Sequence, residues 1–459
     1  MIIKQIYTNC LSEASYIISS GNEAVLIDPL REPFKYINYA KKNNLKIKYI
    51  LETHFHADFV SGHLELSKLT KSKIIFGPNA KTNFDFVKLN DNDEIKFGGV
   101  KIKLLHTPGH TMESSCYLLF DKNNKQHSIF TGDTLFINSV GRPDLAVSSN
   151  FSLKQLASML YDSIKNKILP LNDDIIIYPA HGAGSTCGKN ISNKTFDTLK
   201  NQKIKNFALN LSISKDEFIK IVTKDISAQP KYFIKNVKLN KSNNISKISE
   251  ITKKPFNLSI DRFKKEKKSG ALVLDVRHQK NFIEGHILGS IFIGLNGRFA
   301  PWVGQILKNP KTKILLICNN ENKKEALIRL SRVGFDNVVG FLDGGLEEWQ
   351  NCGEEISLIN QISAKELLSK KNNSFNSIID VREKDEYNFS KINDAKNLPL
   401  SCIYDNYKML DKKKQYIIHC QAGYRSVIAI SILKKLGYKK LTDLDQGYLG
   451  FNKINLMSP

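Results

Sequence analysis

The C-terminal half of the chain repeats itself, and that repeat limits the possible architectures more than any other feature. Leu272-Val273-Leu274-Asp275-Val276-Arg277 returns as Ile378-Ile379-Asp380-Val381-Arg382, Ile314-Leu315-Leu316-Ile317-Cys318 as Tyr416-Ile417-Ile418-His419-Cys420, and Val333-Gly334-Phe335 as Leu436-Gly437-Tyr438. Anchors recurring at a spacing of about 100 residues mean two consecutive copies of one domain of ordinary size. In each copy, short β-branched strands alternate with helical stretches such as residues 323–333 and 426–436. That alternation gives a parallel sheet with helices on its faces. Residues 235–247, mostly polar, read as a linker before the copies, and 352–358 as the joint between them.

At roughly 150 residues per domain, 459 residues leave room for a third domain ahead of the repeat. A composition of 41% hydrophobic and 25% charged residues suits a globular, water-soluble chain. No apolar run approaches the roughly 20 residues of a bilayer span and no signal-peptide core follows Met1, so a cytoplasmic protein without membrane contact is expected. Its 7 cysteines are scattered without CxxC pairs, as reduced thiols are. The net charge of +23 comes from lysines spread along the chain without a basic-aromatic block. It therefore describes a solvated surface that steers small anions, with no nucleic-acid partner expected.

The first 240 residues or so differ in kind. Strand-like runs at 14–18, 24–28, 49–53, 74–76, 100–105, 115–120, 128–131 and 175–178 are each short, and polar clusters follow their ends. Four of those clusters carry Thr53-His54-Phe55-His56-Ala57-Asp58-Phe59, Thr107-Pro108-Gly109-His110, Gly132-Asp133-Thr134 and Ala180-His181-Gly182. Imidazoles and carboxylates on loops after strands are the donor set of a first-row metal. In this order they resemble the metallo-β-lactamase superfamily over residues 1–245, which implies a four-layer αββα sandwich. The superfamily's HxHxDH motif serves two metal sites, but its last histidine is Phe59 here. A phenyl ring has no donor, so the second site keeps only Asp58, His181 and a bridging carboxylate, and a single metal is expected. His54, His110 and Asp133 then offer two nitrogens and one carboxylate, a facial set suited to Fe(II) with positions open for substrate and dioxygen.

This set resembles the persulfide dioxygenases (sulfur dioxygenases) of the superfamily. The resemblance implies His54 as ligand and His56 as a hydrogen-bonding neighbour, with ligation by His56 as the alternative. Asp58 and His181 are implied near the site. Gly62-His63, Gly141-Arg142-Pro143-Asp144 and Gly182-Ala183-Gly184-Ser185-Thr186-Cys187-Gly188-Lys189 resemble the rhodanese-fused branch of that group. Cys187 has two readings, a sulfur-handling thiol at the metal pocket or a buried filler. Arg142 either meets a substrate carboxylate or pairs with Asp144. His63 and His106 read as packed structural histidines, and His127 as solvent-exposed.

In the second copy, His419-Cys420-Gln421-Ala422-Gly423-Tyr424-Arg425-Ser426 runs from a strand into a helix. A cysteine before a tight Gly/Arg loop and a helix N-terminus sits in a cradle of backbone N–H groups that favours an anionic sulfur. With Asp380-Val381-Arg382 this resembles the rhodanese sulfurtransferases, which implies Cys420 as the sulfur carrier, helped by Gly423 and Arg425. The first copy keeps Asp275-Val276-Arg277 but reads Cys318-Asn319-Asn320-Glu321-Asn322-Lys323. Glu321 opposes an anionic sulfur and lacks glycine's conformational freedom, so this copy is expected to be degenerate.

The expected architecture is thus an α/β multidomain chain: an αββα sandwich (1–245), a degenerate rhodanese-like domain (246–357) and an active rhodanese domain (358–459), both with parallel sheets. The resemblance implies an enzyme of sulfide detoxification. It would oxidise a low-molecular-weight thiol persulfide, such as glutathione persulfide, with O2 at one Fe(II) to sulfite and thiol, then pass a sulfane sulfur from Cys420 to sulfite as thiosulfate. A homo-oligomer is also implied. The alternatives are a glyoxalase II-like thioester hydrolase with an attached sulfurtransferase, and a non-oxidative sulfur carrier or sensor.

Overall fold

The computed structural model describes residues 1–147, 150–226, 229–253, 257–369 and 377–455. The chain divides into two compact units, Met1–Ile251 with Leu330–Gly334, and Thr252–Arg329 with Phe335–Pro459. Among the described residues no helix is long and apolar enough to cross a membrane.

The first unit is built on two six-stranded sheets. One runs, in spatial order, Ile2–Thr8, Glu13–Ser20, Glu23–Ile27, Lys46–Leu51, Lys73–Phe76 and Val87–Lys88. Its first three strands are antiparallel neighbours and the rest join in parallel. The other runs Asp197–Thr198, Ile176–Pro179, Gln126–Gly132, Ser115–Phe120, Val100–His106 and Glu94–Phe97. Alternate residues explain the layering. Tyr16, Ile18, Val25 and Ile27 pack against Ile102, Leu104, Tyr117 and Leu119 between the sheets. Ile17, Leu26 and Ile50 pack outward with Tyr36 and Leu66 of the helices Pro33–Lys42 and His63–Thr70. Leu105, Cys116, Leu118 and Ile129 pack outward with Leu160 of the helix Leu153–Ser163. Helices on both outer faces make the four-layer αββα sandwich, which is why strand Glu13–Ser20 is buried at every position.

The stretch 235–247 is not a free linker. Its first part, 235–240, lies in the helix Phe233–Asn240, whose Asn236 and Asn240 are buried. Asn240 donates from Nδ2 to the carbonyls of His56 and Phe59 (2.8 Å each) and accepts from Ser61 N at 2.8 Å. A polar composition gave no sign of this, because the asparagine amide finds its partners in the loop of residues 54–61.

The second unit holds two five-stranded, all-parallel sheets. Their orders match: Asn257–Leu258, Val338–Leu342, Ile314–Ile317, Leu272–Asp275, Ile291–Phe292, then Asn360–Ile362, Leu441–Leu444, Tyr416–His419, Ile378–Asp380, Lys396–Asn397. The repeat thus yields the same topology twice. Cys318 and Cys420 both follow the central strand of their sheet, where open α/β sheets present their binding loops.

Candidate metal centre and thiol loop

His54, His110 and Asp133 leave three different strands and meet, with one ligand atom from each within 4.8 Å of the others. All three are buried, and His54 Nε2, His110 Nε2 and Asp133 Oδ2 have no hydrogen-bond partner. The fold has fixed their tautomers. Thr53 Oγ1 gives its single proton to Asp28 Oδ2 at 2.8 Å, so it accepts from His54 Nδ1–H at 2.9 Å. The Arg142 carbonyl can only accept, so His110 Nδ1–H donates to it at 2.8 Å. Both Nε2 lone pairs are therefore bare. Burial, with His56 adding, holds His54 well below the usual imidazole range, and burial lowers His110. Neutral imidazoles are the ligand form. Gly141 makes the second contact possible, since a Cβ there would lie 1.9 Å from Asp133 O and 2.9 Å from His110 Nδ1.

Asp133 is steadied by its other oxygen, which accepts from His181 Nδ1 at 2.7 Å, while His181 Nε2 lies 2.9 Å from Asp58 Oδ2. Burial opposes charge on His181, yet Asp133 and Asp58 on either side raise it well above the usual imidazole range. Asp133 is held well below the carboxylate range, the desolvation it suffers being outweighed by His181. Three buried, unpartnered donors whose outer atoms are all fixed fit a metal ion, and Asp58, His181 and Cys187, like Asp28, Glu52 and His56, form further buried groups with ligand atoms within 4.8 Å of one another. His56 turns the other way. Its Nε2 lies 3.1 Å from Asp28 Oδ1 and 3.6 Å from Glu52 Oε2, and Phe59 stacks on its ring at 4.3 Å. Phe59 is fully buried, so an apolar ring fills the space beside Asp58 and His56.

Cys187 is buried and groups with Asp58 and His181. Burial, with the Asp58 and Asp133 carboxylates adding, pushes its thiol well above the usual range. Arg142 is paired with Asp144 through Nε at 2.6 Å and Nη2 at 2.8 Å. His63 is buried with Nδ1 3.1 Å from Glu52 Oε1, and His106 Nε2 meets the Met112 carbonyl at 3.0 Å. His127 is half-buried rather than exposed, bonded to Ser128 Oγ. Sequence reasoning did not single out Asp28, Thr53, Asn240 or Glu13. Asp28 and Thr53 stand at strand ends, the one available signal. Glu13, wholly buried with both oxygens unpartnered, pairs through its backbone with His181.

In the second copy, Gly423 N donates to Cys420 Sγ at 3.2 Å, and Ser426 Oγ lies 3.7 Å from the same sulfur. Gly423 caps the helix Tyr424–Lys435 at φ 90°, a conformation a side chain penalises. Arg425 is close enough to Cys420 to interact with it electrostatically, but its guanidinium is bonded elsewhere. Its Nη1 and Nη2 bond both oxygens of Glu386 at 2.6 and 2.7 Å, because a guanidinium fork matches a carboxylate placed one helix away. Arg382 instead reaches the loop, bonding Gln421 Oε1 at 3.1 Å. In the first copy no residue from 318 to 323 has positive φ, so Glu321 is not strained. The loop closes as a 3-10 turn, Asn320–Asn322, with Glu321 pointing to solvent. Burial pushes the Cys318 thiol up to about 12, against a lowering from Lys323.

A four-layer sandwich with a buried His/His/Asp cluster at its edge, followed by tandem parallel α/β domains, defines a metal-site protein carrying thiol-loop modules. Residues 8–181 match the metallo-beta-lactamase superfamily, and 259–352 and 363–454 match the rhodanese-like domain. The chain is 33% identical over 177 residues to a hydroxyacylglutathione hydrolase of Francisella philomiragia, covering 38% of this chain and 64% of the hydrolase. To the human mitochondrial persulfide dioxygenase ETHE1 it is 30% identical over 227 residues, 48% of this chain and 80% of that protein. A crystal structure of a metallo-beta-lactamase from Staphylococcus aureus superposes with a TM-score of 0.65 at 30% identity, covering 74% of this chain and 98% of that one. The chain belongs to the metallo-β-lactamase superfamily and continues into two rhodanese-like domains.

Proposed function

We propose that the chain is a persulfide dioxygenase joined to a thiosulfate-forming sulfurtransferase, with domains at 1–245, 246–357 and 358–459. The observation that carries this reading is the trio of bare donors, His54 Nε2, His110 Nε2 and Asp133 Oδ2, beside a buried Phe59. The likeness to persulfide dioxygenase ETHE1 supports it. Bound there, Fe(II) would supply the chemistry that turns RSSH, O2 and water into RSH, sulfite and two protons. Thr53 and the Arg142 carbonyl orient the two imidazoles, and His181 orients Asp133. Phe59 offers no donor for a second cation, and Cys187, buried beside Asp58 and His181 with its thiol held protonated, fits a packed neighbour of the site better than a sulfur acceptor.

At the second site, Cys420 carries a sulfane sulfur as Cys–S–SH. Sulfite attacks the outer sulfur, the S–S bond breaks toward Cys420, and thiosulfate leaves with the thiol restored. Gly423 N and Ser426 Oγ receive the negative charge returning to the inner sulfur, and Arg425 stands at the rim with Glu386. The first site produces the acceptor that the second consumes.

Oxygen uptake on adding glutathione persulfide to anaerobically purified, iron-analysed protein tests the reading, with thiol release from S-lactoylglutathione measured alongside. Oxygen uptake with bound iron is expected. Turnover of the thioester alone would refute it in favour of the hydrolase reading that the Francisella relative suggests. Iron-free protein with sulfur on Cys420 would leave only a carrier.

A further inference from the structure

The first rhodanese-like copy lacks the loop chemistry of the second, yet its chain is fitted around the residue next to Gly423. Tyr424 Oη donates to the Gly294 carbonyl at 2.7 Å, and its ring meets Phe292 edge-on at 5.7 Å. Gly297 has no positive φ, so its own backbone does not call for glycine. A Cβ on it would lie 2.4 Å from Tyr424 Cζ and 2.6 Å from Cε2, so the missing side chain is the space the ring occupies. Further along the same helix, Phe292 N donates to Ser431 Oγ at 3.1 Å. Ser426 through Leu433 are all buried. A helix buried all round needs cover from beyond its own sheet, and the first copy supplies it. From below, Tyr448 N and Leu449 N hold the Cys420 and Gln421 carbonyls at 2.8 and 3.0 Å.

We propose that the degenerate copy is a positioning domain: through Gly294, Gly297 and Phe292 it clamps Tyr424, and so aims Gly423 N–H at the Cys420 sulfur. The role deepens the reading above and rests on Cys420 as the sulfur carrier. Tyr424 is covalently the next residue after Gly423, so fixing its ring and hydroxyl anchors the C-terminal side of the glycine whose N–H makes the 3.2 Å contact with the sulfur. The Cys420 loop is thereby held from two sides, by its own domain's last helix and by the neighbouring copy.

The test uses the full chain with three variants, Tyr424→Phe, Gly297→Ala and Cys420→Ser. Thiosulfate formation is measured, and the rate at which iodoacetamide alkylates the Cys420 peptide is followed by mass spectrometry across pH. Tyr424→Phe keeps the packed ring and loses one hydrogen bond, so thiosulfate formation should fall about fivefold. Gly297→Ala displaces the ring and should fall further. In both, the pH profile of Cys420 alkylation should move while oxygen uptake stays unchanged, a split that general loosening of the chain would not give. Unchanged rates and alkylation profiles in Tyr424→Phe, with Cys420→Ser inactive, would overturn the clamp even were Gly297→Ala to misfold. Thiosulfate formation surviving in Cys420→Ser would instead sink the Cys420 assignment, and the clamp with it.

Discussion

Replacing Thr53 with valine keeps the shape of the side chain and removes the hydroxyl on which the tautomer of His54 depends. The wild-type hydroxyl makes two buried contacts, 2.8 Å to Asp28 Oδ2 and 2.9 Å to His54 Nδ1. Asp28 keeps the Thr53 backbone N–H at 2.7 Å, so the principal loss falls on His54, whose Nδ1–H is left buried without an acceptor. An unpaired buried donor costs about 1–3 kcal/mol. For a unit of this size that lowers the melting temperature by roughly 2–4 °C per kcal/mol. The loss is larger where it matters, because the imidazole can now adopt the tautomer with Nε2 protonated and its lone pair turned from the metal. Outer partners of this kind are worth about 10–100-fold in metal affinity. Anaerobic Fe(II) competition against a chromophoric chelator should show that fall for Thr53→Val, and Thr53→Ser, which keeps the hydroxyl, should recover most of it. Wild-type affinity in Thr53→Val, or an equal fall in Thr53→Ser, would refute the argument.

Cys420→Ser should abolish thiosulfate formation while sparing sulfite production, both followed by ion chromatography, and joint loss would contradict the division of labour. Phe59→His returns a nitrogen beside Asp58 and His181, so metal bound per chain, read by elemental analysis, should rise, and an unchanged stoichiometry would mean that Phe59 is not what limits the site. Burial raises Asp443 from 3.8 to about 7 despite the bonds from Ser426 and Gln361. Its folded form therefore holds a proton that the unfolded chain has released, and the stability this contributes is present below the unfolded value and lost as pH rises through about 7. At 1.36 kcal/mol per unit the loss is at most about 4 kcal/mol. Asp443→Asn should flatten the pH dependence of unfolding between about pH 4 and pH 8, and parallel curves for variant and wild type would exclude Asp443 as the cause.

Much of the architecture was legible because it is written in local patterns. The repeat of strand, loop and helix foretold two parallel sheets, and short strands followed by His and Asp foretold where the candidate ligands would stand. The identity of residue 59 as phenylalanine was also plain, and the absence of a donor there needs no coordinates. Periodicity and residue type decide which face is apolar and which loop carries chemistry.

Hydrogen-bond direction is set by partners that the fold selects. Thr53 meets Asp28 across 25 residues, His110 meets Arg142 across 32, and Asn240 reaches His56 across 184. Each contact determines where a lone pair or a loop points, and none has a sequence signature. The same is true of Arg425, taken by Glu386 39 residues earlier, and of Tyr424, seated on Gly294 130 residues away. The sequence by itself determined which atoms could act and on which strand ends they stand. Only the tertiary structure decided which way those atoms face, because an imidazole or guanidinium turns to satisfy whatever buried partner the packing has brought beside it.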